Sequence, residues 1–233
     1  MEDTYKALVE RICTKWAEKK TLGQHPRLII VVAGPPGSGK TTITNKVVQH
    51  VSQLKDRPSI ASISADGFHL SRQTLQSLPD PADAIARRGA PWTFDGAAAA
   101  KLAQDLRAEA GRTSVWAPTF DHAIKDPVQN GVEVPPETEV CILEGNYVLS
   151  GEEPWRAIGD LADDRWLVRV DAGLAKRRLA ERHVCAGIES TMEDAFKRAE
   201  RNDMVNGEYV MKHSFGRYDL LIDSMEESRL HRG

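Results

Sequence analysis

Hydrophobic positions recur on two periods along this chain, and the switch between them marks out most of its elements. Over residues 4–18, Tyr5, Leu8, Val9, Ile12, Cys13 and Trp16 fall at three- and four-residue spacing, one stripe of an amphipathic helix. Pro26 then marks a break. Leu28-Ile29-Ile30-Val31-Val32 is a short continuous apolar run, the kind that a parallel sheet buries on both faces. A glycine-rich turn ends it, and helical periodicity resumes with Ile43, Val47, Val48, Val51 and Leu54 as an inner face. Strand, tight turn and helix in this order make half of a βαβ unit.

Further strands are predicted at Ser59–Ser64, Thr113–Ala117, Glu139–Leu143, Trp166–Val170 and Asp219–Ile222. An alanine-rich helix is expected over 96–110, with Leu102 and Leu106 turned inward, and two more at about 174–184 and 191–203. The last of these opens with Ser190-Thr191-Met192-Glu193, a capping-box pattern. Residues 71–95 read as loop and short helix, and 119–138, rich in Pro, Asp, Asn and Gly, read as loop. No internal repeat, low-complexity tract or linker divides the chain. The prediction is one α/β domain over residues 1–233: an open parallel sheet flanked by helices, with an N-terminal helix within 1–24.

Composition narrows the function classes. With 41% hydrophobic and 28% charged residues the chain has the make-up of a globular protein, and its formal net charge of −3 supplies no field to hold a polyanion. Nucleic-acid binding is therefore not expected. No stretch reaches the roughly 20 apolar residues of a membrane span, and with Glu2 and Asp3 at its start and no apolar h-region a signal peptide is not expected. Cys13, Cys141 and Cys185 are an odd, widely spaced set with no C-x-x-C pair, which points to a reducing, cytoplasmic setting rather than a disulfide or zinc framework.

The chemistry starts at Gly34-Pro35-Pro36-Gly37-Ser38-Gly39-Lys40-Thr41, which satisfies G-x-x-x-x-G-K-[ST] at every fixed position. Glycines let successive backbone N–H groups turn around an anion, and the following helix adds the positive end of its dipole. Gly34, Gly37, Ser38, Gly39, Lys40, Thr41 and Thr42 are thus the expected nucleotide-binding set, with Lys40 reaching the β- and γ-oxygens and Thr41 placed to ligate Mg²⁺. In open α/β sheets ligands bind beyond the carboxyl ends of the strands, so acids at other strand ends should converge there. Asp66 follows one strand and is read as the general base for an acceptor hydroxyl; Glu144 follows Val140-Cys141-Ile142-Leu143, as a Walker B acid does, and is read as holding Mg²⁺.

Lys176, Arg177, Arg178, Arg182 and His183 concentrate positive charge on one helix, with Arg178 and Arg182 on a shared face. Such a helix can close as a lid over the transferring phosphate. Two loop stretches, 87–95 and 118–122, are dense in Arg, Asp, His and aromatic residues and suit a polar acceptor.

With these motifs in place, residues from about 26 to 225 resemble the phosphoribulokinase/uridine kinase family of P-loop kinases. The likeness rests on the glycine-rich loop, Asp66-Gly67-Phe68-His69, Phe94-Asp95, Phe120-Asp121-His122, Leu143-Glu144-Gly145 and the basic stretch from Arg177 to His183. Arg88-Gly89-Ala90-Pro91 paired with Phe120-Asp121-His122 is similar to a fungal and bacterial branch labelled uridine kinase-like. The resemblance implies a P-loop NTPase fold with a helical lid and base-binding helices over about 172–205, ATP and Mg²⁺ as cofactors, and a small-molecule acceptor. It implies Asp66 as base, Lys40, Arg178 and Arg182 at the transferring phosphate, and Asn202 near the nucleotide base. His69, Arg88, Phe94, Asp121, His122 and Asn146 are put forward beside Asp66 on the acceptor side.

Uridine kinases carry Tyr after Asp-Ser-Phe where this chain has Gly67-Phe68-His69, a form closer to pantothenate kinase, so uridine or cytidine leads and pantothenate or a sugar follows. A GTPase switch would need Asn-Lys-x-Asp, yet Asn45-Lys46 continues into Val47-Val48 inside a helix. A mechanical P-loop ATPase is the remaining alternative of another class. The N-terminal helix, with Trp16, can pack on its own sheet or on a second copy, which leaves a homodimer open.

Overall fold

Six consecutive residues, Leu28–Ala33, are buried and form β1, the central strand. A computed structural model of the chain describes residues 1–21, 23 and 27–226. The break expected at Pro26, and part of the 1–24 helix expectation, lie outside them. In chain order the elements are α1 (Glu2–Lys20), β1, α2 (Lys40–Val51), β2 (Ile60–Ser64), α3 (Arg72–Gln76), α4 (Pro81–Ala86), α5 (Gly96–Ala108), β3 (Val115–Asp121) and β4 (Asp126–Val134). Then follow β5 (Val140–Gly145), α6 (Arg156–Leu161), β6 (Asp164–Val170), α7 (Ala172–Cys185), α8 (Met192–Arg198), α9 (Val205–Ser214) and β7 (Leu220–Ser224).

Five strands form one parallel sheet in the order β2-β5-β1-β6-β7. The two-residue period of a strand divides its side chains between two cores. Leu28, Ile30 and Val32 join Val140, Ile142, Trp166 and Val168 under α1 and α2. Ile29, Val31 and Ala33 join Cys141, Leu143 and Leu167 under α5 and α6. The stripe of α1 packs on its own sheet, with Tyr5, Leu8, Val9 and Ile12 buried. Of the inner face expected for α2, Ile43, Val47 and Val51 are buried, whereas Leu54 lies beyond the helix and is exposed.

Two expectations fail. Residues 119–138 are not loop: β3 and β4 form an antiparallel hairpin, displaced in register between Ala117 and Thr119. Pro118, Pro127 and Asn130-Gly131 disguise it, yet both strands are edges, where proline is tolerated. The irregular register takes up Asn130, which has φ +54°. The helix expected over 191–203 runs on to Ser214, through a π-helical segment at Ala199–Met204. Its N-cap is Thr191, whose side chain accepts from the Asp194 N–H, one residue later than the capping-box reading.

Candidate active site

Parallel register brings the chemistry to one edge. Ser64 and Val32 both stand opposite Glu144, so β2, β1 and β5 end together beside the glycine-rich loop. In that loop Gly39 takes φ +80°, which permits the turn into α2. Ser38 is buried and its hydroxyl has no partner among the described residues.

The Thr41 hydroxyl donates to Glu144 Oε1 at 3.1 Å, while Glu144 Oε2 is buried with no hydrogen-bond partner. Burial holds the Glu144 carboxyl above the usual carboxylate range; Lys40 opposes this and Asp66 adds to it, so all three charges share one field. A buried, half-partnered carboxylate beside a hydroxyl fits a divalent cation, whose charge would reverse the cost of ionising it.

Asp66 sits in a 3₁₀ turn, Ala65–Phe68, immediately after β2. Its carbonyl accepts from the His69 Nδ1–H at 2.8 Å, and among the described residues none donates to its carboxylate. The His69 ring packs against Phe94 (3.9 Å between centroids) and Phe120 (5.0 Å), and burial lowers its pKa. Phe94 itself is a core residue, packed against Tyr147 and Trp155.

The remaining acceptor-side residues divide. Arg88 is committed to protein: it donates to the Leu70 and Lys125 carbonyls and to Asp126 Oδ1, latching the hairpin to the Asp66 turn. Asp121 closes the hairpin by accepting from the Ala123 and Ile124 N–H groups. His122 is exposed, with its ring 5.3 Å from Phe120, and Asn146 is half-buried just after β5.

On the lid side, Arg178 donates to the Gly37 carbonyl at 3.3 Å and to Ser224 Oγ at 3.0 Å, which places it on the glycine-rich loop. Arg182, one turn on, is exposed, and its charge acts on the buried His183 and the half-buried Asp203. Asn202, expected near a nucleotide base, has its side chain bonded within the protein. It is buried in the π segment, with Nδ2 donating to the Arg88 carbonyl at 3.1 Å and Oδ1 accepting from Asn206.

Sequence reading passed over Tyr147, whose hydroxyl donates to the Gly89 carbonyl; Arg87, within the 87–95 stretch singled out there, donates to the Arg201 carbonyl. Together with Asn202 they fasten the Arg-Gly-Ala-Pro segment from two sides. The available signal for Tyr147 was its place directly after Glu144-Gly145-Asn146.

No family model matches the chain. An ATP-dependent kinase-like protein of Aspergillus versicolor is 45% identical over 150 residues, 64% of this chain and 87% of that one. A candidate uridine kinase of Schizosaccharomyces pombe is 36% identical over 192 residues, 82% of this chain and 81% of that one. The chain belongs to the phosphoribulokinase/uridine kinase family of P-loop kinases. Among solved structures, a candidate fructose transport system kinase from Silicibacter sp. TM1040 matches with a TM-score of 0.78 at 29% identity, covering 91% of this chain and 98% of that one. This chain is thus an ATP-dependent small-molecule kinase. No described helix of the kinase is long and apolar enough to cross a membrane.

Proposed function

We propose that this kinase transfers the γ-phosphate of ATP to a hydroxyl of a nucleoside, uridine or cytidine first, with Asp66 as general base. The observation that carries the reading is the convergence of two carboxylates in different states. Glu144 is buried and bonded to the Thr41 hydroxyl, while Asp66 stands half-buried on the neighbouring strand end, its carboxylate free of donors among the described residues. One suits a cation and the other suits a hydroxyl proton.

Thr41 and Glu144 would hold Mg²⁺, which when bound neutralises charge on the β- and γ-phosphates. Lys40 and the backbone N–H groups of the loop bind the phosphates, and Arg178, anchored on Gly37, holds a guanidinium beside them. The basic helix α7 is assigned the lid role, in a cytoplasmic enzyme. A sugar acceptor is the second reading, favoured by likeness to the candidate fructose transport system kinase; pantothenate follows from Asp66-Gly67-Phe68.

The test is ATP consumption with Mg²⁺ in the presence of uridine, cytidine, pantothenate or D-fructose, with Asp66→Asn as the blank. Turnover stimulated far above that blank by a nucleoside is the expected result. Hydrolysis equal with every compound and in the blank would overturn phosphoryl transfer through Asp66.

A further inference from the structure

Among the described residues none donates to the Asp66 carboxylate, so its aim is set by the backbone that carries it. That backbone is gripped closely. The Phe68 carbonyl accepts from the Asp95 N–H at 2.7 Å, and the Leu70 N–H donates to the Thr93 carbonyl at 2.9 Å. Pro118 of β3 lies so near that a Cβ on Gly67 would come within 2.2 Å of its carbonyl oxygen, which excludes any other residue there. The Asp66 peptide itself is held less well on its N–H side, where the Ser64 hydroxyl accepts at 3.3 Å. On its carbonyl side the His69 N–H donates at 3.1 Å and the His69 ring at 2.8 Å.

We infer that His69 is a positioning residue: its Nδ1–H, donated to the Asp66 carbonyl, fixes the turn that aims the Asp66 carboxylate at the acceptor. This rests on the reading of Asp66 as the base. A carbonyl can only accept, so Nδ1 must carry the proton, and the neutral ring is the Nδ1–H tautomer. The Phe94 and Phe120 rings both pack against the imidazole, and burial favours the uncharged form. The imidazole therefore acts as a fixed donor rather than as a proton carrier or a ligand for the acceptor.

Two substitutions separate this from packing. His69→Asn keeps an amide N–H near the place of Nδ1, while His69→Gln moves it to the place of Nε2; both lose the ring packed against the two phenylalanines. In the full-length protein, with ATP, Mg²⁺ and a pooled mixture of uridine, cytidine, pantothenate and D-fructose, His69→Gln should lower kcat roughly 10- to 100-fold, the cost of a small misplacement at a reacting centre. His69→Asn should stay within about threefold of wild type, with KM for ATP unchanged in both and their melting temperatures alike. Equal losses in the two variants would overturn the inference in favour of packing or direct acceptor contact, and no loss in either would overturn it as well. A wild type that binds ATP but turns over nothing in the pool would overturn the reading of the site itself. Side-chain ¹⁵N NMR at pH 8 supplies the arm independent of turnover. A protonated Nδ1 is expected, and an Nε2–H tautomer would contradict the assignment.

Discussion

The two ends of the central sheet each bury a carboxylate, and they treat it in opposite ways. At the amino-terminal end, Asp164 is fully buried and both its oxygens are satisfied. Arg11 donates to each of them at 2.7 Å, and the Trp166 indole donates to Oδ2 at 2.7 Å. Its neighbour Asp163 is bonded by Lys19, Arg107 and the Ile29 N–H. Arg27, 1% exposed, donates to the Thr138, Leu106 and Pro135 carbonyls. At the carboxyl-terminal end, among the described residues, Glu144 has one oxygen unpartnered, Ser38 has an unpartnered hydroxyl, and the Asp66 carboxylate has no donor. A satisfied buried charge pins elements together, here α1 to β6. An unsatisfied one holds an interaction in reserve for a ligand.

This contrast can be broken most forcefully at Lys40. Lys40→Ala should reduce turnover on the order of 10³-fold, the cost of removing a preorganised charge from the transferring group, with the melting temperature nearly unchanged. Turnover close to wild type would refute the assignment of the loop. At the opposite edge Asp164→Ala should cost about 3–5 kcal/mol of stability, because it leaves Arg11 beside a buried void. Denaturant unfolding measures this, and the folded fraction should keep its kcat.

Glu144 sharpens the comparison through pH. Its pKa is raised in the folded protein, so its contribution to stability is complete below the unfolded carboxylate range and is lost as pH rises through the folded value. Without metal, the wild type should therefore lose melting temperature relative to Glu144→Gln as pH rises above the ordinary carboxylate range. Mg²⁺ should restore it in the wild type only, and identical pH profiles would assign Glu144 no special cost. The smallest effect is expected at Arg178. Arg178→Gln removes one charge-assisted contact and should lower kcat roughly tenfold while ATP still binds; an unchanged rate would make it a structural tie between Gly37 and Ser224.

The parts of this molecule legible in sequence were those where one local pattern decides the outcome. The apolar run Leu28–Val32 had to be a buried strand, and the glycine-rich loop after it defined the edge to which Asp66 and Glu144 were then assigned. The hairpin escaped because Pro118, Pro127 and Asn130-Gly131 are turn signals that an irregular edge pair absorbs. The extension of the helix through α9 escaped because Gly207 reads as a breaker. It gives close packing there, since a Cβ would lie 3.2 Å from Pro35 of the glycine-rich loop. Asn202 has a surrounding that its position in sequence did not disclose. The π segment turns its side chain toward Arg88, and nothing in the spacing of the sequence announces that wider turn.

The most direct test of the division between the two edges is a pair of numbers on one variant, kcat and melting temperature for Asp66→Asn. The expected result is a fall in kcat of about 10²–10⁴-fold with the acceptor that best stimulates the wild type, and a melting temperature that hardly moves. Unchanged turnover, or a loss of fold matching that of Asp164→Ala, would contradict the placement of the chemistry at the carboxyl ends of the strands.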